Sequence, residues 1–237
     1  PGKLTRQVFQ EKELKEIPLY GPLAWSVPGC VAGWFDLRDK FGSLTMPEIL
    51  QPAIELAENG FPVSPIIAGY WAKTEQSFAP WADSRATFLL EGKRAPKTGD
   101  IFRNPRLAAS YREIAARGPD YFYRGDIAKA IVRFSEQNGG YFSLDDFDKH
   151  SNEWVKPIST NYRGYDVWQI PPNGQGLSVL QILNVLEQHD LKGMGWGSPD
   201  YTHLLIEAKK LAYADRARFY ADMAFEKVPV DQLASKP

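Results

Sequence analysis

Residues 154–187 read WVKPISTNYRGYDVWQIPPNGQGLSVLQILNVLE, and the pattern changes twice along that stretch. Its first part carries β-branched and aromatic residues on both sides of Arg163–Gly164, which predicts two strands joined at that turn. From Gly176 onward, Leu177, Leu180, Ile182, Leu183, Val185 and Leu186 wrap so widely around a helix that deep burial is expected. Between them lies PPNGQG, Pro171 to Gly176. Two prolines restrict the approach of the chain, while Gly174 and Gly176 let the backbone come close to a neighbour or a ligand beside the free amides of the helix start. The same pattern also serves as an ordinary strand-to-helix turn, so both readings stand at this point.

Outward from this stretch the chain is helical on both sides. Toward the C-terminus, Ser198, Pro199 and Asp200 occupy cap and first-turn positions of the longest predicted helix, SPDYTHLLIEAKKLAYADRARFYAD. Toward the N-terminus, residues 126–140 place Ile127, Ala130, Ile131 and Phe134 on one face and end at Gly139–Gly140. Residues 104–119 place Leu107, Tyr111, Ile114 and Ala115 on another, between Asn104–Pro105 and Gly118–Pro119. Residues 64–90 read as helix interrupted at Pro80. Thr45 and Glu48 have capping-box spacing ahead of the stripe Leu50, Ile54 and Ala57, in which Pro52 is expected to introduce a kink or restart. Val31, Trp34, Phe35, Leu37, Arg38 and Phe41 predict a further helix stopped at Gly42. The opening QVFQEKELKEI reads as a strand or a single helical turn, and the tail KVPVDQLASKP as a short polar element. The expected organisation is α+β: a mainly helical region over 1–150, then strands and two long helices over 151–237. So few strands with open edges are marginal alone, which predicts that the chain belongs to a longer polypeptide.

Composition narrows the chemistry. Among 237 residues, 28 Lys and Arg balance 29 Asp and Glu to a net charge of −1, which argues against the basic face that nucleic acid or an anionic membrane requires. No run approaches the ~18–20 apolar residues of a membrane span. The N-terminus begins without Met and has no apolar signal core. A single cysteine, Cys30, rules out an intrachain disulfide framework; it is expected to be a small buried apolar residue. His150, His189 and His203 are dispersed, with no metal-ligand spacing, and neither a Gly-x-Ser-x-Gly elbow nor a phosphate-binding loop occurs. Asp145, Asp146, Asp148 and Glu153 could pair as glycosidase carboxylates, but Asp145 and Asp146 follow Ser143 at a helix start, where acids cap amides. Tyr213, Asp215 and Arg216 are expected to form an ion-pair cluster on a helix surface or between domains. The 7 Trp, 11 Tyr and 13 Phe fall mostly on apolar helix faces and are expected in the core; were they exposed, they could serve a non-catalytic binding module.

Four segments carry a family resemblance when taken in order: residues 25–63, 99–132, 138–187 and 203–222. VPGCVAGW, GPDYFYRG, YRGY followed by PPNGQG, and EAKKLAYADR are specific in combination, and the chain resembles the gamma-glutamyltransferase family over nearly its whole length. PPNGQG, where many members carry a Ser-containing version, is more similar to the acylase-like branch.

The resemblance implies an N-terminal-nucleophile hydrolase of four-layer αββα fold, made as a precursor that cuts itself into a large and a small subunit. The small subunit's new N-terminal Thr is then the nucleophile and its α-amine the base. Such enzymes cleave γ-glutamyl amides of the glutathione type through a γ-glutamyl-enzyme ester, with a backbone oxyanion hole and no metal or organic cofactor. On this reading the chain is the middle and later part of a large subunit, its partners being the small subunit and a γ-glutamyl small molecule. The Thr and the Gly-Gly oxyanion segment would lie beyond Pro237, and the Arg for the substrate α-carboxylate before Pro1. No catalytic residue is therefore assigned within it, and the fragment alone is expected to be inactive. Asn173, Gly174, Gln175 and Gly176 are the candidate substrate-contacting residues. Family habit implies a periplasmic or secreted location, and an amide acylase of the same family is the nearest alternative activity.

Overall fold

Local capping chemistry sets several helix starts. At Thr45 the side-chain oxygen accepts the Glu48 amide at 3.5 Å while the Glu48 carboxylate accepts the Thr45 amide at 2.7 Å, a reciprocal box that satisfies two free donors. Asn104 and Ser198 cap by a single bond each, accepting from Leu107 and Tyr201, with a proline at the next position.

The computed structural model describes residues 1–236, which divide into two units, one spanning Pro1–Asn152 and the other starting at Glu153. The first contains α1 (Arg6–Glu11), α2 (Cys30–Phe41), α3 (Met46–Asn59), β1 (Phe61–Pro62), α4 (Pro65–Phe78), α5 (Ala82–Phe88), β2 (Ile101–Phe102), α6 (Pro105–Arg117), α7 (Pro119–Tyr123), α8 (Asp126–Gln137) and α9 (Leu144–Asp148). Its main core joins Phe35 of α2, Met46, Leu50 and Ile54 of α3, Ala108 and Ile114 of α6, Ala128 and Val132 of α8, and Phe142 and Phe147. A smaller cluster gathers Val63, Ala68 and Phe102 around the antiparallel β1–β2 pair, with Trp71 edge-on to Phe102 at 4.6 Å.

Four expectations for this unit need correction. Of the two outcomes expected at Pro52, the restart is excluded, because helix α3 continues through it. Proline forfeits one backbone bond there, but it lies on the exposed side, opposite the buried Leu50 and Ile54 that anchor the helix. The buried stripe of α8 is Ala128, Val132 and Ser135, so Ala130 and Phe134 are exposed and Ile127 and Ile131 only flank the core. Likewise α6 buries Ala108 and Ile114 and leaves Leu107 exposed, because small residues let α6 approach its neighbours closely. Cys30 is exposed in the first turn of α2, where no side chain covers it. The amide two residues on, at Ala32, donates to the Tyr123 hydroxyl at 3.1 Å, and that hydroxyl donates to the Pro28 carbonyl at 2.8 Å.

The second unit contains β3 (Ile158–Tyr162), β4 (Tyr165–Gln169), α10 (Gly176–Glu187), α11 (Leu191–Met194), α12 (Pro199–Phe219) and α13 (Val230–Leu233). β3 and β4 form an antiparallel hairpin with Tyr162 opposite Tyr165. Arg163 and Gly164 both adopt positive φ, 52° and 89°, the geometry of a two-residue turn matched to strand twist. Helix α10 packs on this hairpin and on α12. Its buried positions are Leu177, Ser178, Leu180, Gln181, Asn184 and Leu186, while Ile182, Leu183 and Val185 are half-buried. The wide apolar wrap therefore does not describe what α10 hides: three of its six buried side chains are polar.

Candidate functional site in the second unit

The PPNGQG turn leaves β4 and enters α10 with Pro172 buried and Asn173, Gly174 and Gln175 exposed. The two glycines differ. A Cβ at Gly176 would sit 2.8 Å from Gln169 Cβ and from the Ile170 carbonyl oxygen, so only glycine fits where the helix start crosses the end of β4. A Cβ at Gly174 would meet nothing within 4 Å, so a side chain there would enter open space.

Asn173 and Gly174 line a cavity of about 1080 Å³ together with Trp154, Lys156, Trp168, Asp222 and Met223, among others. Glu153 and Asp231 add acidic groups to its wall. Gln175 and Gly176 are not part of the lining: Gln175 stands at the cap of α10 and its Oε1 accepts from the Tyr213 hydroxyl at 3.0 Å. The structure thus brings two of the four candidate residues to the cavity and uses the other two to seat the turn.

Behind the turn lies a directional chain of hydrogen bonds between α10 and the end of α12. Ser178 Oγ donates to the Tyr220 hydroxyl at 3.1 Å, and that hydroxyl donates to Gln181 Oε1 at 2.6 Å. Gln181 Nε2 in turn donates to the Asp215 carboxylate at 2.8 Å. Burial pushes the Tyr220 phenol above its ordinary value of 10.0, although the Ser178 hydrogen bond works against this, so the hydroxyl keeps its proton to donate. One turn further on, Thr160 of β3 donates to Asn184 Oδ1, and Asn184 Nδ2 donates to the Ala234 carbonyl at 2.9 Å. Each of these buried polar side chains has a partner, which is what makes a polar helix face tolerable inside a unit.

Sequence reasoning missed Ser178, Gln181, Asn184 and Tyr220. The available signal was the three-residue spacing of Ser178, Gln181 and Asn184, a polar stripe on an otherwise apolar helix. The expected ion-pair cluster at Tyr213, Asp215 and Arg216 is corrected: Asp215 accepts from Gln181, and the Arg216 guanidinium lies 5.6 Å from the centre of the Tyr213 ring. The acidic run in the first unit is occupied structurally. Asp145 pairs with Lys149 at 2.7 Å, Asp148 pairs with Arg124, and Asp146 closes a capping box with Ser143. The expectation that aromatics are mostly core is also revised, since Trp154, Trp168 and Trp196 are 53%, 59% and 90% exposed. Among the described residues, no group of three His, Cys, Asp or Glu could hold a metal ion, and no helix is long and apolar enough to cross a membrane.

A helical region followed by a hairpin and two packed helices is an α+β arrangement, and the solved structures it matches place it in the N-terminal-nucleophile hydrolase class. The family model described as Gamma-glutamyltranspeptidase matches residues 1–237, and the chain belongs to that family. It is 39% identical to a glutathione hydrolase-like proenzyme of Bacillus subtilis over 98% of this chain and 44% of that protein. Against the glutathione hydrolase proenzyme of Escherichia coli the values are 38%, 100% and 41%. An acylase proenzyme of Pseudomonas sp. strain SE83 is 37% identical over 100% of this chain and 44% of its own length. Among solved structures, a cephalosporin acylase from Bacillus halodurans superposes with a TM-score of 0.87 at 37% identity, covering 99% of this chain and 45% of that one. The gamma-glutamyltranspeptidase of Helicobacter pylori gives 0.84 at 34% identity, over 94% of this chain and 64% of that one. The chain therefore spans less than half the length of these curated relatives, which are named as proenzymes.

Proposed function

We propose that this chain forms part of the large subunit of an enzyme that cleaves γ-glutamyl amides of the glutathione type. The acyl-enzyme would form on a Thr nucleophile outside residues 1–237, supplied by a small subunit cut from the same precursor. The observation that carries this reading is the family match along the whole chain, supported by relatives named glutathione hydrolase proenzymes. Within the complete enzyme, residues 1–237 act as scaffold and pocket wall. They contribute no nucleophile and are inactive alone. The Asn173–Gly174 rim is the segment that reaches the acyl donor: it is exposed, it lines the cavity, and it is held by glycine-dependent packing at Gly176. We place the enzyme outside the cytoplasm, in the periplasm or secreted, on family habit.

A second reading, an amide acylase of the same family, is favoured by the cephalosporin acylase likeness and by the PPNGQG form of the turn. The test begins with the complete natural reading frame: intact mass and N-terminal sequencing of every band, then assay with a γ-glutamyl anilide and with an acyl-cephalosporin. Two chains, the smaller starting with Thr, and anilide turnover are the expected result. Processing with turnover of the acyl-cephalosporin alone selects the acylase. A single unprocessed chain with neither activity overturns both in favour of a non-catalytic binding module. Asn173→Ala in the active enzyme is expected to weaken use of the acyl donor, and unchanged kinetics with every donor would remove the rim from the site.

A further inference from the structure

We infer that Tyr220 is a positioning residue that holds two rims of the second-unit cavity at a set separation, an inference that rests on reading this cavity as part of the acyl-donor pocket. Two of the stretches of chain that line this cavity are tied together behind it. One is the Pro171–Gly174 turn, which runs into α10, and the other is Asp222–Ala224, which follows α12. Tyr220 stands at the end of α12, two residues before Asp222, and its hydroxyl bonds both Ser178 and Gln181 in the first two turns of α10. The phenol oxygen is therefore the side-chain link from α10 that lies nearest the Asp222–Ala224 rim, beside the Gln181–Asp215 and Gln175–Tyr213 bonds made earlier along α12.

The polarity of the link makes it selective. The Gln181 amide can be oriented one way only, because its Nε2 must face the Asp215 carboxylate, an acceptor; Oε1 is then turned to Tyr220. Tyr220 must consequently donate to Gln181, which leaves its lone pair for the Ser178 hydroxyl. No other choice of donors and acceptors satisfies all four groups, so the chain locks α10 in rotation and in height against the end of α12. Apolar contacts would permit sliding, whereas a chain of directional bonds does not. Tyr213, seven residues earlier and so on the same face of α12, adds a second hydroxyl contact at Gln175.

The test uses the complete processed enzyme and the variant Tyr220→Phe, which keeps the ring and removes the hydroxyl. Amide hydrogen exchange by mass spectrometry reads peptides covering 171–177 and 221–225, and steady-state kinetics with a γ-glutamyl anilide reads the pocket. The expected result is faster exchange in both peptides and a donor KM raised about five-fold, with kcat changed less than about two-fold, the split that separates positioning from chemistry. Unchanged exchange in both peptides, or faster exchange in only one, overturns the inference, as do loosened rims with an unchanged donor KM. If the unmodified enzyme turns over no anilide but Tyr220→Phe still loosens both rims, the link stands and the proposed function fails. Should Tyr220→Phe not fold, Ser178→Ala cuts one bond only and is expected to loosen 171–177 alone; no change in that peptide is the overturning result.

Discussion

The two units solve the burial problem in different ways. In the first, the interior is mainly apolar, a large cluster in which Phe147, Ala108 and Ala128 are completely buried and a smaller one around Val63, with Ser135, which accepts the Phe142 amide at 3.1 Å, and the Tyr123 hydroxyl as polar exceptions. In the second, the most enclosed helix turns a face of Ser178, Gln181 and Asn184 inward, and each of these is matched to a particular partner on the hairpin, on α12 or near α13. Apolar packing rewards volume and tolerates small rotations, whereas a buried hydrogen-bonded face penalises any register but one. The cavity and the PPNGQG turn lie in the unit with the directional interior, where holding a loop in place matters most.

Five substitutions test this contrast. Removing the ring of Phe147, which packs edge-on against Phe142 at 5.4 Å, should give the largest loss. Phe147→Ala is expected to lower stability by about 3–5 kcal/mol in urea unfolding. Asn184→Ala should follow, because it strands the Thr160 hydroxyl and the Ala234 carbonyl. A loss of about 1–3 kcal/mol is expected. A change as small as that of an exposed residue would break the claim that polar matching organises the second unit.

The glycine pair sharpens the comparison inside the turn itself. Gly176→Ala forces a methyl group against Gln169 and the Ile170 carbonyl and should cost about 1–3 kcal/mol. Gly174→Ala meets open space and should stay within about 0.5 kcal/mol by the same thermal or urea measurement. Equal costs at the two positions would mean that the turn is not seated as described.

A pH-dependent effect is expected at the start of α3. Hydrogen bonds from the Thr45 side chain and then its backbone hold the Glu48 carboxyl below its ordinary value of 4.5. A carboxylate with a depressed folded value stabilises fully above the unfolded value and loses that contribution as pH falls through the folded one. Thr45→Ala should therefore lower the unfolding midpoint modestly at neutral pH. The difference from the parent should narrow as pH drops below 4.5 and Glu48 takes up its proton. A gap that is constant across this range would show that the box carries no charge-dependent stability.

Local chemistry was the most legible part of the molecule. Thr45 with Glu48, Asn104 with Pro105, and Ser198 with Pro199 act on backbone amides two or three residues away, so the sequence contains both partners of each interaction. Arg163–Gly164 is similar: the turn needs only what two adjacent residues can adopt. The candidate site was half legible. PPNGQG announced a special turn, and Gly176 is demanded by a close approach, but nothing in that string distinguishes the residues that face the cavity, Asn173 and Gly174, from those that seat the turn.

What the sequence determined by itself was its family, its helix starts and its hairpin, because these follow from motifs or from groups a few residues apart. Tertiary structure alone decided that Cys30 is left uncovered, that α8 turns Ser135 inward and Phe134 outward, and that α10 buries a polar stripe. Burial is set by what packs on a side chain, and those partners come from far along the chain: Asp215 for Gln181, Tyr220 for Ser178 and Ala234 for Asn184. A polar residue on an apolar helix looks like a fault until its distant partner is in place, and only the folded chain supplies that partner.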